Sequence, residues 1–520
     1  MKKFITRQAG WILGTLSGFD RIRFRGTFRQ LAHCEGMSSI LAYLHVLLKD
    51  FKAFAEETTE RFCAGMEKTA QRADRTVRYL PSSRIDKEEL VQRLWREQGV
   101  GKHGVIAVFS ALEVCKSYEI RRLREAKQIA LASVPRKCLH YYVYRHDSMF
   151  GLVSVRMQSW FPFNSHIVLN GREWLARQMN AKRLPYRRAD NCFPWIADFA
   201  RAQKLADQQL RTDWPQHLSR LLYGANPALR QLLPTVDLEP YWSAEQSEWA
   251  TDLAFTSASD LAALHPRLVQ HAITSFQSPS VMRFLGRKTP LHGGVNGNYQ
   301  GEIVSDVQRR VEGVCVRHRL GRNSIKMYDK QGSVLRVETT INDTRDIKVV
   351  RPPEGRPTAK PRPQRMRKGV ADLARRARFC QAANKRYLTA LAAADMNSPL
   401  KHFTDVLSRP AESNGRRFRA LNPLGGDAPL LAALARGELL INGFRNADIR
   451  QALLGEDPTD ADERRRRSVH VSRLLALLRA HGLIRKVTGS QRYLLTTLAQ
   501  QCLPALLAAR ESSLQKLTAA

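Results

Sequence analysis

Between residues 313 and 343 the chain reads GVCVRHRLGRNSIKMYDKQGSVLRVETTIND, and side chains able to do chemistry crowd together there. Turns at Gly321–Arg322–Asn323 and Gln331–Gly332–Ser333 divide the segment into three antiparallel strands. A symmetric second turn sets Tyr328 opposite Arg336 and Lys326 opposite Glu338. Side chains alternate across a strand, so Ile325, Met327, Leu335 and Val337 face a core, while Lys326, Tyr328, Lys330, Arg336, Glu338 and Thr340 share the other face. A tyrosine hydroxyl flanked by Lys and Arg becomes more acidic and can attack a phosphodiester. A carboxylate such as Glu338, with Asp329 or Asp343 nearby, can hold Mg²⁺ or Mn²⁺ and polarise the scissile phosphate. The expected catalytic pair is therefore Tyr328 and Glu338, and the expected metal ligands are Glu338 and Asp329. The same face also admits a purely structural role, with Lys326–Glu338 and Tyr328–Arg336 as cross-strand pairs and the cations set against a nucleic-acid backbone.

Phosphate chemistry agrees with the charge balance. The 520 residues hold 84 Lys plus Arg against 48 Asp plus Glu, a formal net charge of +36. Such a surplus repels itself unless a polyanion neutralises it, and a nucleic acid does so with release of counterions. Three basic elements stand out. In FDRIRFRGTFRQ, Arg21, Arg23, Arg25 and Arg29 alternate with aromatic and aliphatic residues, which reads as a strand with one arginine-rich face. RPPEGRPTAKPRPQRMRK, over 351–368, includes Arg362, Arg365, Arg367 and Lys368 and reads as an extended cationic linker. Arg464, Arg465, Arg466 and Arg467 open a long helix that also carries His470 and Arg473.

The elements that would position these residues suggest an α+β, multidomain chain. Length alone favours several domains. Residues 1–95 read as mostly helical and basic, 100–210 as an aromatic-rich α/β domain, 211–290 as helical and 291–350 as antiparallel β. A basic proline-rich linker at 351–369 and a basic helical region at 370–425 follow. The glycine- and asparagine-rich stretch within 281–300 reads as a loop. The eight cysteines form no CxxC pair, which speaks against a zinc ribbon and for free thiols in a reducing, cytoplasmic setting. No apolar run is long enough for a membrane span, and the N-terminal residues read as folded protein and not as a signal peptide. No phosphate-binding loop, dinucleotide fingerprint, nucleophile elbow or internal repeat is legible.

Near the C-terminus the pattern is helix, helix with Asn446 as its N-cap, long helix, then a hairpin around residues 488–491. Val471, Leu474, Leu475, Leu477 and Leu478 form the apolar face of the long helix, which ends at His481–Gly482. This order resembles winged-helix domains over 428–505. The resemblance implies that the long helix enters a major groove and that Arg485, Lys486 and Arg492 line the wing. The KMYDK…LRVE segment in turn resembles a motif of the replication initiators of filamentous phages and some rolling-circle plasmids. There the conserved acid helps to bind metal and a tyrosine elsewhere often forms the covalent link, so the resemblance carries over to Glu338 alone. The chain departs from most rolling-circle enzymes in having no His-hydrophobic-His motif.

The leading expectation is a nucleic-acid-binding protein of bacterial mobile-element type, forming an extended complex with DNA, structured RNA or both, and without a membrane partner. A metal-dependent strand-nicking or replication-initiation enzyme is the alternative, and a winged-helix transcriptional regulator is a third.

Overall fold

The structure, a computed structural model, describes residues 1–123, 128–233, 235–287, 301–310, 313–356, 358–392, 400–413, 415–435, 443–487 and 490–512. Residues 288–300 of the expected glycine-rich loop and residues 488–489 of the expected C-terminal turn lie outside them. The fold is mixed α+β around one large sheet. Its strands are β1 (Ile12–Thr27), β2 (Val77–Tyr79), β3 (Val105–Leu123), β4 (Gln128–Asp147), β5 (Gly151–Gln158) and β6 (Ser165–Asn170), then, after a separate hairpin of β7 (Tyr186–Ala189) and β8 (Cys192–Ile196), β9 (Tyr241–Phe255), β10 (Ile303–Arg310), β11 (Gly313–Leu320), β12 (Asn323–Lys330) and β13 (Val334–Ile341). The eleven strands of the sheet lie in the order β10-β11-β12-β13-β9-β1-β6-β5-β4-β3-β2.

That order contains a repeat invisible in the sequence. β1 is followed by helices and a four-stranded meander, β3 to β6, whose last strand returns to pair with β1. β9 is likewise followed by helices, at Ala258–Ser275 and Ser278–Phe284, and by the meander β10 to β13, whose last strand returns to pair with β9. β1 and β9 then pair antiparallel at the centre, so the two units meet along one seam.

The predicted segmentation at 1–95, 100–210, 211–290 and 291–350 does not follow these units, because strands from all four segments join one sheet. β9 was expected to be helical. WSAEQSEWATDLAF is rich in helix formers, but most of its second half is buried on both faces between β1 and β13, and tertiary burial overrides propensity. The expected extended linker also takes another form. Lys348–Arg351 pairs with Arg362–Arg365 in a short hairpin, and Met366 is buried in the core. The helix Leu373–Leu391 then lies on the sheet, where the buried Asn384 amide donates to the Trp249 and Val337 carbonyls.

The described residues within 400–511 form a cluster with its own core of Leu431, Phe444, Ile449, Val471, Leu475, Leu478 and Leu483. Its later elements run helix Ala428–Leu434, helix Asn446–Leu454, helix Ala461–Ala480, hairpin Ile484–Lys486 with Tyr493–Leu495, and helix Thr497–Glu511. Asn446 is not the N-cap; Arg445 is, its N–H donating to Asp448 at 2.6 Å. The Asn446 amide instead donates to the Ser468 carbonyl and Ser472 hydroxyl, both at 2.9 Å, and ties the second helix to the third. Among the described residues no helix is long and apolar enough to cross a membrane.

Candidate metal centre and basic face

The hairpin register is the one its turn predicts: Tyr328 lies opposite Arg336 and Lys326 opposite Glu338. Ile325, Met327, Leu335 and Val337 are fully buried on one face. The other face is also largely covered, and this changes the chemistry. β13 is buried along its whole length because β9 flanks it and the β7–β8 hairpin packs over it.

Arg336 is the hub. Its guanidinium contacts Asp252 at 2.6 and 2.9 Å, Asp20 at 3.2 Å and the Asn191 carbonyl at 2.7 Å. It is 1% exposed. Turning it outward would strand two buried carboxylates at a cost of several kcal/mol. The expectation that Arg336 binds nucleic acid is therefore corrected: it holds acids. Arg172 supports the same group, contacting Asp252 at 3.0 Å. It sits in the first turn of the helix Gly171–Ala181, where Asn170 caps the N–H groups of Arg172 and Glu173. A side chain at Gly171 would begin 2.2 Å from the Phe19 carbonyl, so glycine is what brings this helix end against β1.

Asp20 reaches the group through a β-bulge. Phe19 pairs with Trp249 and Ile22 with Ser247, so Asp20 and Arg21 together oppose the single residue Glu248. Asp20, Glu248 and Glu338 each offer a carboxylate oxygen within 4.8 Å of the others. Glu338 accepts from Lys326 at 2.7 Å and from the Tyr328 hydroxyl at 2.9 Å. Against the effect of their burial, Lys326, Arg336 and Tyr328 hold Glu338 below the ordinary carboxylate range, and Arg172 and Arg336 do the same for Asp252. Asp20 is raised, by burial first and then by Glu338 and Asp252. Glu248 is pushed up to about 7 by burial and the nearby Glu338 charge. The crowded carboxylates thus resist ionising together, a conflict that a divalent cation relieves. An all-oxygen donor set suits Mg²⁺ or Mn²⁺.

Two expectations fail here. Tyr328 is not made acidic: burial and the Glu338 carboxylate raise its pKa far above the ordinary phenol value, and its proton is committed to Glu338. Asp329 alternates to the opposite face of β12 from Tyr328 and lies outside the carboxylate group. Asp20 and Glu248 take the place expected of it. The sequence held a sign of Asp20: the apolar spacing Phe19, Ile22, Phe24 breaks alternation by one residue, as a bulge requires. Glu248 and Asp252 were hidden by the helical reading of β9.

Beside this centre lies an open cationic strip. Arg21 and Arg23 are exposed, and Arg25 is half-buried and donates to Asn164 at 3.3 Å. Arg21 also reaches Glu88 at 3.1 Å. Both Lys326 and Arg21 lie close enough to Glu248 to favour its charged form, and His166 first, then Arg23 and Arg25, do the same for Glu245. Across the second meander, Arg317 lies opposite Lys326 and Arg319 opposite Ser324, both half-buried. Arg29 covers the Tyr241 ring at 3.7 Å. The aromatic residues of β4 to β6 do not join the strip: Tyr141, Tyr142, Tyr144, Phe161 and Phe163 are buried.

The other expected contacts are dispersed. Arg362, Arg365 and Lys368 are exposed, while Arg367 is half-buried and paired with Asp372 at 3.5 Å. On the helix Ala461–Ala480, Arg465, Arg466, His470 and Arg473 are exposed, and Arg466, His470 and Arg473 share a face by their spacing. Arg464 is exposed and donates to the Pro458 carbonyl, whereas Arg467 is half-buried and paired with Glu463 at 3.0 Å. Arg485 and Lys486 are exposed and Arg492 is half-buried. No family model matches the chain, nor does any curated protein or solved structure.

Proposed function

We propose that the chain binds nucleic acid across the basic strip and cleaves one phosphodiester strand at the carboxylate centre, as a metal-dependent nicking enzyme of mobile-element or replication-initiation type. The observation that carries this reading is the meeting of Asp20, Glu248 and Glu338 within 4.8 Å beside Arg21 and Lys326. A carboxylate cluster alone repels a phosphate, and a basic strip alone only binds it; side by side they bind and process. The resemblance of KMYDK…LRVE to phage and plasmid initiators supports the biological setting through Glu338.

Asp20, Glu248 and Glu338 would hold Mg²⁺ or Mn²⁺, which supplies Lewis acidity toward a phosphoryl oxygen. The protein's own residues then have separate roles. Arg336 and Arg172 fix Asp252 and Asp20 against their mutual repulsion. Tyr328 orients Glu338. Lys326 offsets the Glu338 charge. Arg21, Arg23, Arg317 and Arg319 would hold the strand on either side. With Tyr328 protonated and bound to Glu338, the attacking group in this reading is a water or a nucleic-acid hydroxyl, and no phosphotyrosine forms there.

The C-terminal cluster supports a second contact. The order helix, helix, helix, hairpin is that of a winged helix, and Arg466, His470 and Arg473 lie along the helix that would meet the duplex. The transcriptional-regulator alternative has no comparable support, since it gives the carboxylate centre nothing to do.

The test is incubation of the full chain with supercoiled plasmid, single-stranded DNA and single-stranded RNA, with Mg²⁺, Mn²⁺ or EDTA. Metal-dependent nicking of at least one substrate is expected, reduced at least 100-fold in Glu338→Gln and Glu248→Gln while binding persists. Binding without cleavage on every substrate, or cleavage indifferent to both substitutions, removes the enzymatic reading.

A further inference from the structure

A second group of ligand-type side chains lies on the other half of the sheet, where the proposed cleavage centre has no use for it. β3 and β4 pair along nearly their whole length, from Val105 with Arg145 to Leu123 with Gln128. Their neighbours are shorter. β2 pairs only with Val108–Ser110 of β3, and β5 only with His140–Asp147 of β4. Beyond His140 the two long strands therefore leave the sheet as a two-stranded ribbon. The ribbon is tied back where the Tyr118 hydroxyl donates to the Leu31 carbonyl at 2.7 Å.

At the base of this ribbon Cys115 of β3 and Cys138 and His140 of β4 converge, each with one ligand atom within 4.8 Å of the other two. The register explains how. Cys115 is opposite Arg136 and Cys138 opposite Glu113, which makes the thiols diagonal neighbours, and His140 follows Cys138 on the same strand face. Cys138 and His140 are buried and Cys115 is half-buried, so a small ion can reach the group from one side. Cys115 and Cys138 stand 23 residues apart and form no CxxC pair, which is why spacing rules do not find them.

Two sulfurs and an imidazole are a soft to borderline donor set, unlike the three carboxylates of the first centre. Tetrahedral zinc with bonds of ~2.0–2.3 Å places its ligand atoms about 3.5–3.8 Å apart. The three ligand atoms already lie within 4.8 Å of one another, with Cys138 Sγ 4.0 Å from His140 Nδ1, so closing asks for side-chain adjustment of at most roughly 1 Å and no change of register. Arg136 is the register partner of Cys115, whose thiol donates to its carbonyl at 3.4 Å, and Glu113 is held close by its ion pair with Arg156. We propose that Cys115, Cys138 and His140 bind one zinc-like, thiophilic divalent cation that clamps the base of the β3–β4 ribbon. Binding exchanges the two thiol protons for the cation and involves no redox change.

Co²⁺ is the probe, added to the reduced full-length chain. A thiolate-to-cobalt charge-transfer band and the intense visible absorption of a tetrahedral site are expected, saturating at one equivalent and abolished by added Zn²⁺. Cys115→Ser and His140→Asn should weaken Co²⁺ binding at least tenfold, whereas Cys192→Ser, at a buried thiol elsewhere, should not. Glu248→Gln should leave the thiolate band intact, which separates this site from the carboxylate centre whether or not that centre cleaves anything. The wild-type spectrum decides without any variant. Absence of the thiolate band in reduced protein, a band unchanged in Cys115→Ser, or a Cys115–Cys138 disulfide as the only product of the pair overturns the proposal.

Discussion

Tyr328 shows how burial reverses a chemical reading. On paper, a tyrosine between Lys326 and Arg336 has a stabilised phenolate. In the fold both cations are spent on carboxylates, Lys326 on Glu338 and Arg336 on Asp20 and Asp252. What remains next to the hydroxyl is a carboxylate, so the phenol keeps its proton and donates it. Tyr328→Phe should therefore cost about 1.5–3 kcal/mol of stability, the worth of a buried hydrogen bond to a charged group. On the proposed function, cleavage should be weakened but retained, and no covalent protein–nucleic acid adduct should form with either form of the protein. Urea denaturation and denaturing gels of the reaction measure both; loss of all cleavage at unchanged stability would make Tyr328 the nucleophile after all.

At the scale of elements, what was legible depended on how much each element relied on distant partners. The β11–β12–β13 meander is set by its two turns and its alternation, so its register and buried face could be read directly. The helix Ala461–Ala480, with its His481–Gly482 end, was equally local. β9 was not, because its strand character exists only between β1 and β13. Nor was the β3–β4 ribbon, because nothing local in either strand announces their extended pairing. His318 joins two such elements. On β11 it contacts Ser305 of β10 at 2.7 Å and the Tyr387 hydroxyl of the helix Leu373–Leu391 at 3.2 Å. Burial lowers its pKa to about 4. The folded protein then refuses a proton that the unfolded chain accepts near pH 6.5, so this contribution is complete above that pH and lost as pH falls toward 4. The loss is about 1.4 kcal/mol per pH unit. His140, also lowered to about 4, adds a parallel term. Denaturation midpoints between pH 7.5 and 5 should fall steeply, and His318→Gln should flatten the slope by about one proton; an unchanged slope would mean that His318 is charged in the fold.

For the whole molecule, the surplus of +36 remains the largest fact in the sequence. The structure distributes it over the strip from Arg25 to Arg21, the hairpin residues Arg362 and Arg365 and the helix face of Arg466 and Arg473. If one nucleic acid spans several of these, the slope of log K against log salt should be steeper than about −4, corresponding to more than four neutralised phosphates. Replacing Arg466 and Arg473 by alanine should make it shallower by about two. A slope near −1 or −2 in the unmodified chain would confine contact to a single element. Composition could announce this surplus but not its layout, since the buried Arg172, Arg336 and Arg376 are indistinguishable in sequence from exposed arginines.

The seam between β1 and β9 makes the centre a joint product of the two repeats. Asp20 is supplied by the first repeat, Glu248 and Glu338 by the second, so neither half-chain owns a full ligand set. Severed between Val236 and Pro240, the two halves should regain a common centre only by associating.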